Sequence, residues 1–230
     1  MPPPDKTPEY VREYRNLLRR LRREETDEAR VMARMVGDKF EEMGAAHRRL
    51  LEENGLAPGM RIVDVGCGSG RTAWGLRDIE ALEYLGTDIV PDLLEFARGK
   101  CARPDWRFEL IEELVIPAPD DWADFILFLS VFTHLKPAQS LVYLNEARRV
   151  LRPGGKVVFS YLDRDAPAHV AAYPSLWRQW IARMLRLDVR NEFVTRQIVD
   201  GWLRDSGLVE LRRYDAAEAA QHVVVAQRCA

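Results

Sequence analysis

The stretch Arg61-Ile-Val-Asp-Val-Gly-Cys-Gly-Ser-Gly-Arg71 decides the fold of this 230-residue chain. An apolar run of strand type ends at Asp64-Val65 and then breaks into three alternating glycines. Glycine adopts positive φ angles and lets a ligand come close to the backbone. The N–H groups that open the next helix can hold an anionic group. The stretch therefore predicts a strand, a ligand-binding turn and a helix.

A second short strand, Tyr84-Leu-Gly-Thr-Asp88, ends in a carboxylate. In a parallel sheet that acid lies across the cleft from the glycine turn and can accept both hydroxyls of a ribose. We therefore expect a ligand with a ribose at one end and a small anionic group at the other. Dinucleotides and S-adenosylmethionine both fit this description.

The spacing of the glycines helps to separate the two ligand classes. The dinucleotide fingerprint requires G-x-G-x-x-G or A from the end of the strand. Counted from Gly66 the sixth position is Arg71, and counted from Gly68 the pattern fits but starts late. Asp64, the Gly-x-Gly-x-Gly spacing and Asp88 resemble motifs I and II of class I S-adenosylmethionine-dependent methyltransferases. A doubly wound domain whose turn binds nothing is the structural alternative.

Residues 124–161 extend the resemblance. The run Asp124-Phe-Ile-Leu-Phe-Leu-Ser-Val-Phe-Thr-His-Leu135 is similar to motif IV of the family, and Arg152-Pro-Gly-Gly-Lys156 is similar to motif V. The likeness covers about residues 55–228. It implies an α/β, Rossmann-like seven-stranded sheet of order 3-2-1-4-5-7-6 with strand 7 antiparallel. Leu208–Tyr214 and His222–Gln227 fit the two closing strands.

The chain divides into an N-terminal helical extension or lid, residues 1–54, and an S-adenosylmethionine-binding domain, residues 55–230, with a helical insertion at 163–190. Residues 8–25 have helical periodicity, and a second helix is expected from the cap Asp27 to about Asn54. Within it, Val36–Gly44 is similar to a helix that some bacterial methyltransferases place over the cofactor. Alternating elements predict parallel strands at Met60–Val65, Leu82–Asp88, Trp106–Ile111, Ala123–Leu129 and Lys156–Tyr161, with a turn at Pro153-Gly154-Gly155 before the last.

The resemblance implies S-adenosylmethionine as cofactor and S-adenosylhomocysteine as product. The glycine turn and Asp64 would hold the methionyl end, Asp88 the ribose, and the ends of strands two and three the adenine. Glu112 stands where the family usually has Asp. The cofactor-binding residues expected on this basis are Asp64, Gly66, Cys67, Gly68, Gly70, Arg71, Asp88, Ile89, Ile111, Glu112, Glu113, Leu129 and Ser130.

The predicted activity is in-line transfer of a methyl group to oxygen or nitrogen of a small-molecule acceptor. Such a displacement depends mainly on positioning, and a base helps when the acceptor must lose a proton. His134 is the candidate base, although a packing role fits it as well. Tyr161, Trp177 and Trp180 are candidate acceptor contacts. The insertion that carries both tryptophans either closes the acceptor pocket opposite the N-terminal helices or only covers the sheet edge.

Composition limits the partners. The net charge is −2, so no overall basic field indicates nucleic acid, and no run of 18 apolar residues predicts a membrane span. Three cysteines without metal-ligand spacing indicate no metal site and a reducing, cytoplasmic setting. The arginine-bearing first helix leaves a homodimer possible. The competing functions are a nucleic-acid or protein methyltransferase, a nicotinamide-dependent oxidoreductase and a cofactor-binding scaffold without catalysis.

Overall fold

The computed structural model describes residues 8–37, 39–172, 191–215 and 221–229. Trp177 and Trp180, and with them most of the expected insertion, lie outside the described residues. In chain order the elements are α1 (Glu9–Glu24), α2 (Glu28–Met35), α3 (Phe40–Glu53), β1 (Arg61–Val65), α4 (Arg71–Leu76), β2 (Glu83–Asp88), α5 (Pro91–Cys101), β3 (Arg107–Leu110), β4 (Ala123–Phe128), α6 (Pro137–Val150), β5 (Leu151–Asp163), α7 (Pro167–Ala172), β6 (Phe193–Val194), α8 (Arg196–Ser206), β7 (Leu208–Tyr214) and β8 (His222–Arg228).

The strands form one open sheet in the order β3-β2-β1-β4-β5-β8-β7, and the two-residue β6 pairs with the end of β5. Strands β1 to β5 are parallel, whereas β8 runs antiparallel to both β5 and β7. Apart from β6, this is the predicted seven-stranded order with its last strand antiparallel. The Rossmann-like α/β fold is therefore confirmed.

Helices cover both faces of the sheet, because side chains along each buried strand alternate between two apolar clusters. On β1, Ile62 packs in the cluster with Leu76 of α4, and Val63 packs in the cluster with Leu144 of α6. Asp64 follows Val63 and therefore points to the α4 side of the sheet. This alternation decides where its carboxylate lies.

The expected long helix from Asp27 to Asn54 is wrong, because the chain forms two helices there. The Asp27 carboxylate caps α2 as predicted, accepting the Ala29 N–H at 3.0 Å. Between α2 and α3 the backbone takes left-handed φ angles, 85° at Gly37 and 68° at Lys39. Such angles interrupt a right-handed helix. The break leaves Val36 and Gly37 beside the glycine turn.

Helix α3 packs directly on the backbone of α4. A Cβ on Gly44 would lie 2.6 Å from the carbonyl oxygen of Arg71. Only residues without a side chain allow so close a crossing. Although α3 belongs to the sequence region assigned to the extension, it is therefore part of the layer that supports the glycine turn.

The turn expected at residues 153–155 is also different in the structure. Strand β5 continues from Leu151 through these residues, and its register against β4 shifts between Ala123 and Phe125. Gly154 has a φ of 79°, which glycine adopts without strain. The segment is thus an irregular part of a longer strand, with three more residues than the facing part of β4.

Candidate functional site

A cavity of about 320 Å³ lies at the carboxyl ends of the central strands. One side comes from the ends of β1, β2 and β4 and the segments that follow them. Another side comes from α1 and the end of α2. The lining residues are Tyr10, Tyr14, Leu17, Met35, Val36, Gly37, Val65, Gly66, Gly68, Arg71, Thr87, Asp88, Ile89, Leu93, Ile111, Leu129, Ser130, Val131, Thr133, His134, Leu135, Tyr143, Asn191 and Gln221.

The glycine turn needs glycine for both conformation and space. Gly66 and Gly68 have positive φ angles of 70° and 57°. A Cβ on Gly66 would lie 2.6 Å from Val131 Cγ2, and one on Gly68 would lie 2.6 Å from Val36 Cγ1. Any side chain at these positions would displace a wall of the cavity.

Most N–H groups of this turn are already hydrogen-bonded within the protein. The carbonyl oxygen of Thr87 accepts the N–H groups of Gly66 and Cys67, at 2.8 and 2.9 Å. The Gly70 N–H donates to the Cys67 carbonyl at 3.0 Å, and the Gly68 N–H donates to Asp88 Oδ2 at 2.9 Å. The expectation that the backbone here holds the anionic group of the ligand stays a prediction, since it also includes the N–H groups that open α4.

Asp88 borders the cavity and is 9% exposed. Its two carboxylate oxygens accept the N–H groups of Gly68 and Val90, each at 2.9 Å. Burial raises the pKa of Asp88 to about 6, and the backbone donors oppose that rise. Each oxygen keeps a further acceptor position. The carboxylate can thus accept the hydroxyls of a ribose while the turn fixes its orientation.

Asp64 lies in a different place from the one expected. Its side chain is 2% exposed and does not border the cavity, because it points to the α4 side of the sheet. There Oδ2 accepts the Tyr84 hydroxyl at 2.7 Å. Burial raises the pKa of Asp64 to about 7, against the hydrogen bond from Tyr84. The Asp64 carboxylate therefore lies on the α4 side of the sheet, away from the cavity, and supports the glycine turn there.

Cys67 and Gly70 also face away from the cavity. A Cβ on Gly86 would lie 2.9 Å from Cys67 Sγ, so the thiol occupies the space that this glycine leaves. Burial raises the pKa of Cys67 well above its ordinary value. Gly70 lies against Ala97 and Cys101 of α5. These contacts make both residues packing positions of the turn.

Of the residues expected to contact adenine at the ends of β2 and β3, only some border the cavity. Ile89 and Ile111 line the cavity, whereas Glu112 and Glu113 do not. The Glu112 carboxylate forms an ion pair with Arg15 of α1, and its carbonyl accepts the Tyr10 hydroxyl at 2.9 Å. The segment after β3 therefore attaches α1 to the core.

Leu129 and Ser130 directly follow β4 and line the cavity, and their place beside the reacting centre stays a prediction. Ser130 has a φ of 62°, a strained value for a residue with a side chain. Its N–H donates to Ser160 Oγ at 2.7 Å, and the Ser160 hydroxyl donates to Gln221 Oε1 at 2.6 Å. No sequence pattern pointed to Gln221, because its partners Ser130 and Ser160 are distant in the chain.

His134 borders the cavity, whereas Tyr161 does not. His134 lines the cavity, and its ring lies edge-on to that of Tyr14 with 5.5 Å between centroids. Tyr161 is 1% exposed and does not line the cavity. Its hydroxyl accepts an N–H of Arg213 at 3.2 Å instead. Tyr161 is thus a buried residue of β5, and its contact with an acceptor stays a prediction.

Arg71 lines the cavity directly after the glycine turn. Burial lowers the pKa of this guanidinium, and the nearby charge of Asp64 opposes the shift. Its Nη1 lies 3.9 Å from the position that a Cβ on Gly37 would occupy. The side chain therefore sits between the turn and the end of α2.

Within residues 8–37, 39–172, 191–215 and 221–229, no group of three or more His, Cys, Asp or Glu side chains could hold a metal ion. None of the helices in this part of the chain is both long and apolar enough to cross a membrane.

An open, mostly parallel sheet with a glycine turn and a strand-end acid on one cavity is the arrangement in which Rossmann-like proteins bind nucleoside-containing ligands. A family model described as "Methyltransferase domain" matches residues 35–211, more than half of the chain. The chain belongs to this family, within the class I S-adenosylmethionine-dependent methyltransferases. The family is one of S-adenosylmethionine-dependent methyltransferases.

Individual relatives are more distant. The chain is 26% identical over 156 residues to a ubiquinone biosynthesis O-methyltransferase of Xanthomonas euvesicatoria pv. vesicatoria, covering 65% of this chain and 63% of that protein. It thus spans less than two thirds of that curated relative's length.

Solved structures share the fold. A SAM-dependent methyltransferase from Aquifex aeolicus has a TM-score of 0.60 and 22% identity over 79% of this chain and 89% of that one. A geranyl diphosphate C-methyltransferase from Streptomyces coelicolor A3(2), solved with S-adenosylhomocysteine, has a TM-score of 0.60 and 16% identity. That match covers 80% of this chain and 77% of the other. Identities this low support the shared architecture and carry no residue roles.

The cavity fits S-adenosylmethionine on its own chemistry. Asp88 offers a buried carboxylate to a ribose, and the Gly66 and Gly68 backbone leaves a cradle that a Cβ would fill. Arg71 adds a cation at the turn. These groups match the ribose and the charged amino-acid end of the cofactor.

Proposed function

We propose that this enzyme methylates a hydroxyl oxygen of a small-molecule acceptor, with His134 as the general base. The observation that carries the proposal is the position of His134, which lines the same cavity as Leu129 and Ser130 at the tip of β4. The Xanthomonas relative, named as an O-methyltransferase of ubiquinone biosynthesis, supports a small hydroxyl-bearing acceptor.

S-adenosylmethionine supplies a methyl group on a positively charged sulfur. Asp88 would fix the ribose, and Leu129 and Ser130 would border the sulfur. The strained backbone of Ser130 is held by Ser160 and Gln221, so the tip of β4 is rigid. Fixed walls of this kind hold an acceptor in line with the methyl group, which supplies much of the rate acceleration.

A hydroxyl acceptor must lose a proton as the new bond forms. An imidazole can accept a proton at neutral pH, which suits His134 to that step. The edge-on ring of Tyr14 limits the orientations that the imidazole can take. In this proposal α1 orients the base, and the end of β4 positions the methyl donor.

The test compares phenolic acceptors of different acidity with the wild type and His134→Gln. Product formation is followed by mass spectrometry, and S-adenosylhomocysteine affinity by calorimetry. A base should give His134→Gln a kcat lower by about 10²–10⁴-fold on a neutral phenol, with little change in cofactor affinity. On a nitrophenol that is already ionised at the assay pH, the deficit should largely disappear.

Two outcomes would reject the proposal. An equal deficit on neutral and ionised phenols would assign His134 a positioning role. Methylation of amines or carbon acids, with no hydroxyl acceptor turned over in the same screen, would rule out O-methylation. Calorimetry on each variant checks that the cofactor site is intact.

A further inference from the structure

Three polar side chains from distant parts of the chain meet at the tip of β4. Ser130 and Gln221 line the cavity, whereas Ser160 does not line it and is only 3% exposed. The Ser130 N–H donates to Ser160 Oγ at 2.7 Å, and the Ser160 hydroxyl donates to Gln221 Oε1 at 2.6 Å. The Gln221 amide then donates from Nε2 to Ser130 Oγ at 3.1 Å. These three hydrogen bonds form a closed ring that begins and ends at Ser130.

The ring determines which way the Gln221 amide faces. The single hydrogen of the Ser160 hydroxyl needs an acceptor, because a buried hydroxyl without one is costly. The carbonyl oxygen of Gln221 is that acceptor, which leaves the NH2 group of the amide for Ser130. The opposite orientation would put the NH2 group against the Ser160 hydrogen.

This arrangement leaves the hydroxyl hydrogen of Ser130 for a ligand. A hydroxyl has one hydrogen to donate and two acceptor positions, and the Gln221 amide uses one of the latter. Among the described residues, the acceptor within reach of Ser130 Oγ is Gln221 Oε1 at 3.3 Å. That distance exceeds the usual range of about 2.5–3.0 Å between two hydrogen-bonded oxygens, and Oε1 already has the shorter bond from Ser160. An oxygen atom in the cavity would be a better partner.

His134 lies at the other end of the same short turn. The Thr133 hydroxyl donates to the Ser130 carbonyl oxygen at 3.1 Å, and the His134 N–H donates to the Val131 carbonyl oxygen at 2.9 Å. Residues 130–134 are therefore folded closely together, and both Ser130 and His134 line the cavity. A ligand oxygen bonded to the Ser130 hydroxyl would lie near the oxygen from which His134 takes a proton.

Two tyrosine hydroxyls of the cavity lining are used within the protein. The Tyr10 hydroxyl donates to the Glu112 carbonyl oxygen at 2.9 Å, and the Tyr143 hydroxyl donates to the Glu113 carbonyl oxygen at 3.3 Å. Their hydrogens are thus committed to backbone carbonyls. The Ser130 hydroxyl is better placed than either of them to bind a ligand oxygen.

We propose that the Ser130 hydroxyl, oriented by Gln221, selects acceptors that carry a second oxygen next to the hydroxyl that is methylated. Ser130 donates a hydrogen bond to that second oxygen, which can be a hydroxyl, alkoxy or carbonyl oxygen. Gln221 is a positioning residue, because it acts through Ser130. An acceptor with a carbon at this place leaves the Ser130 hydrogen with only the long contact to Gln221, and selectivity follows from that difference.

This inference rests on the proposed function, because it takes the acceptor to be a hydroxyl compound bound beside His134. The two can fail separately. The binding measurements use S-adenosylhomocysteine, which has no methyl group to transfer. Absence of an O-methylated product would overturn the proposed function and leave the oxygen contact of Ser130 standing, whereas absence of the binding preference would overturn only that contact.

The experiment is calorimetry on the complex with S-adenosylhomocysteine, using two phenols of nearly the same shape, 2-methoxyphenol and 2-ethylphenol. They differ at one position, where the first has an oxygen and the second a methylene group. The wild type should bind 2-methoxyphenol about 3- to 10-fold more tightly, the effect of one hydrogen bond. Ser130→Ala should remove this preference and change the binding of 2-ethylphenol less than about 2-fold.

A second variant tests the role of Gln221. In Gln221→Glu the NH2 group becomes an oxygen, so the Ser130 hydroxyl gains an acceptor within the ring and no longer serves the ligand. The preference should disappear although Ser130 is intact. Ser140→Ala removes a buried hydroxyl of α6 outside the cavity lining. It is the matched control and should retain the preference.

Equal affinities of the wild type for the two phenols, or no detectable binding of either, would overturn the inference. A preference that survives Ser130→Ala would place the oxygen contact at another residue, and one that survives Gln221→Glu would reject the orienting role of Gln221. Equal weakening of both phenols by Ser130→Ala would show that Ser130 only shapes the cavity. If Ser130→Ala fails to fold by circular dichroism, Ser130→Gly decides by the same comparison, because glycine suits the φ of 62° and also lacks the hydroxyl.

Discussion

The carbonyl oxygen of Gly44 lies 2.3 Å from the position that a Cβ on Gly75 would occupy. Helices α3 and α4 therefore touch through their backbones. Because α4 begins at Arg71, where the glycine turn ends, α3 fixes the position of the turn as well as that of its own helix. A segment before the sheet thus helps to build the cofactor site.

This contact predicts a steep response to one added methyl group. Gly75→Ala should lower the free energy of unfolding by about 1–3 kcal/mol, because backbone atoms of α3 must move away. Urea denaturation measures the change. Gly99→Ala on α5 is the control, since a Cβ there meets nothing within 4 Å. It should instead stabilise the protein by about 0.5–1 kcal/mol through better helix propensity. Equal stability of the two variants would contradict the proposed contact.

Removal of the strand-end acid should affect ligand binding more than folding. We expect Asp88→Ala to weaken S-adenosylhomocysteine binding by about 1.5–3 kcal/mol, because a charged acceptor for ribose hydroxyls is lost. Calorimetry measures this, with Asp92→Ala as control, since Asp92 pairs with Arg22 outside the cavity lining. Unchanged affinity in folded Asp88→Ala would show that another group binds the ribose.

The buried carboxylate of Asp64 predicts how the free energy of unfolding depends on pH. Burial raises the pKa of Asp64 to about 7, above its value in the unfolded chain. The folded state then binds the proton more tightly, so this group's contribution to stability is complete below about pH 4 and is lost as the pH rises through about 7. Asp64→Asn keeps an acceptor for Tyr84 without the charge. Relative to wild type it should gain roughly 1–4 kcal/mol between pH 4 and 8, measured by urea denaturation of the ligand-free protein. A constant difference across that range would refute the shift.

The attachment of α1 predicts a kinetic effect. Arg15 pairs with Glu112, and both side chains are 38% exposed, so the pair contributes only about 0.2–1 kcal/mol. Arg15→Met should accordingly speed dissociation of S-adenosylhomocysteine by at most about 5-fold, as measured by stopped-flow fluorescence. Arg19→Met, exposed on the same helix, should not change it. Identical rates in all three proteins would show that α1 does not limit release.

The sequence predicted the parts of the site that depend on local pattern. The glycine spacing and the acid at the end of β2 each lie within one short segment, so Gly66, Gly68 and Asp88 were identified directly and all border the cavity. The sheet order followed from the family resemblance, which extended over most of the chain. Both kinds of signal are carried by adjacent residues.

Other features depend on contacts that a single sequence does not reveal. The direction of Asp64 follows from which face of β1 packs on α4, and the hydrogen bonds of the turn depend on the carbonyl of Thr87 in another strand. The break between α2 and α3 was not predicted, because the helical periodicity of the sequence continues across it. Gln221 contacts Ser130 from 91 residues away.

The separation of Ser130 and Gln221 along the chain affects when this contact can form during translation. The strained tip of β4 is secured by Gln221, which immediately precedes β8, and β8 inserts between β5 and β7. While the ribosome is still translating residues before this point, Ser130 lacks one of the partners that hold its conformation. The glycine turn and Asp88 are therefore translated well before Gln221, which secures the tip of β4. The contact that secures the tip of β4 therefore depends on the C-terminal part of the chain.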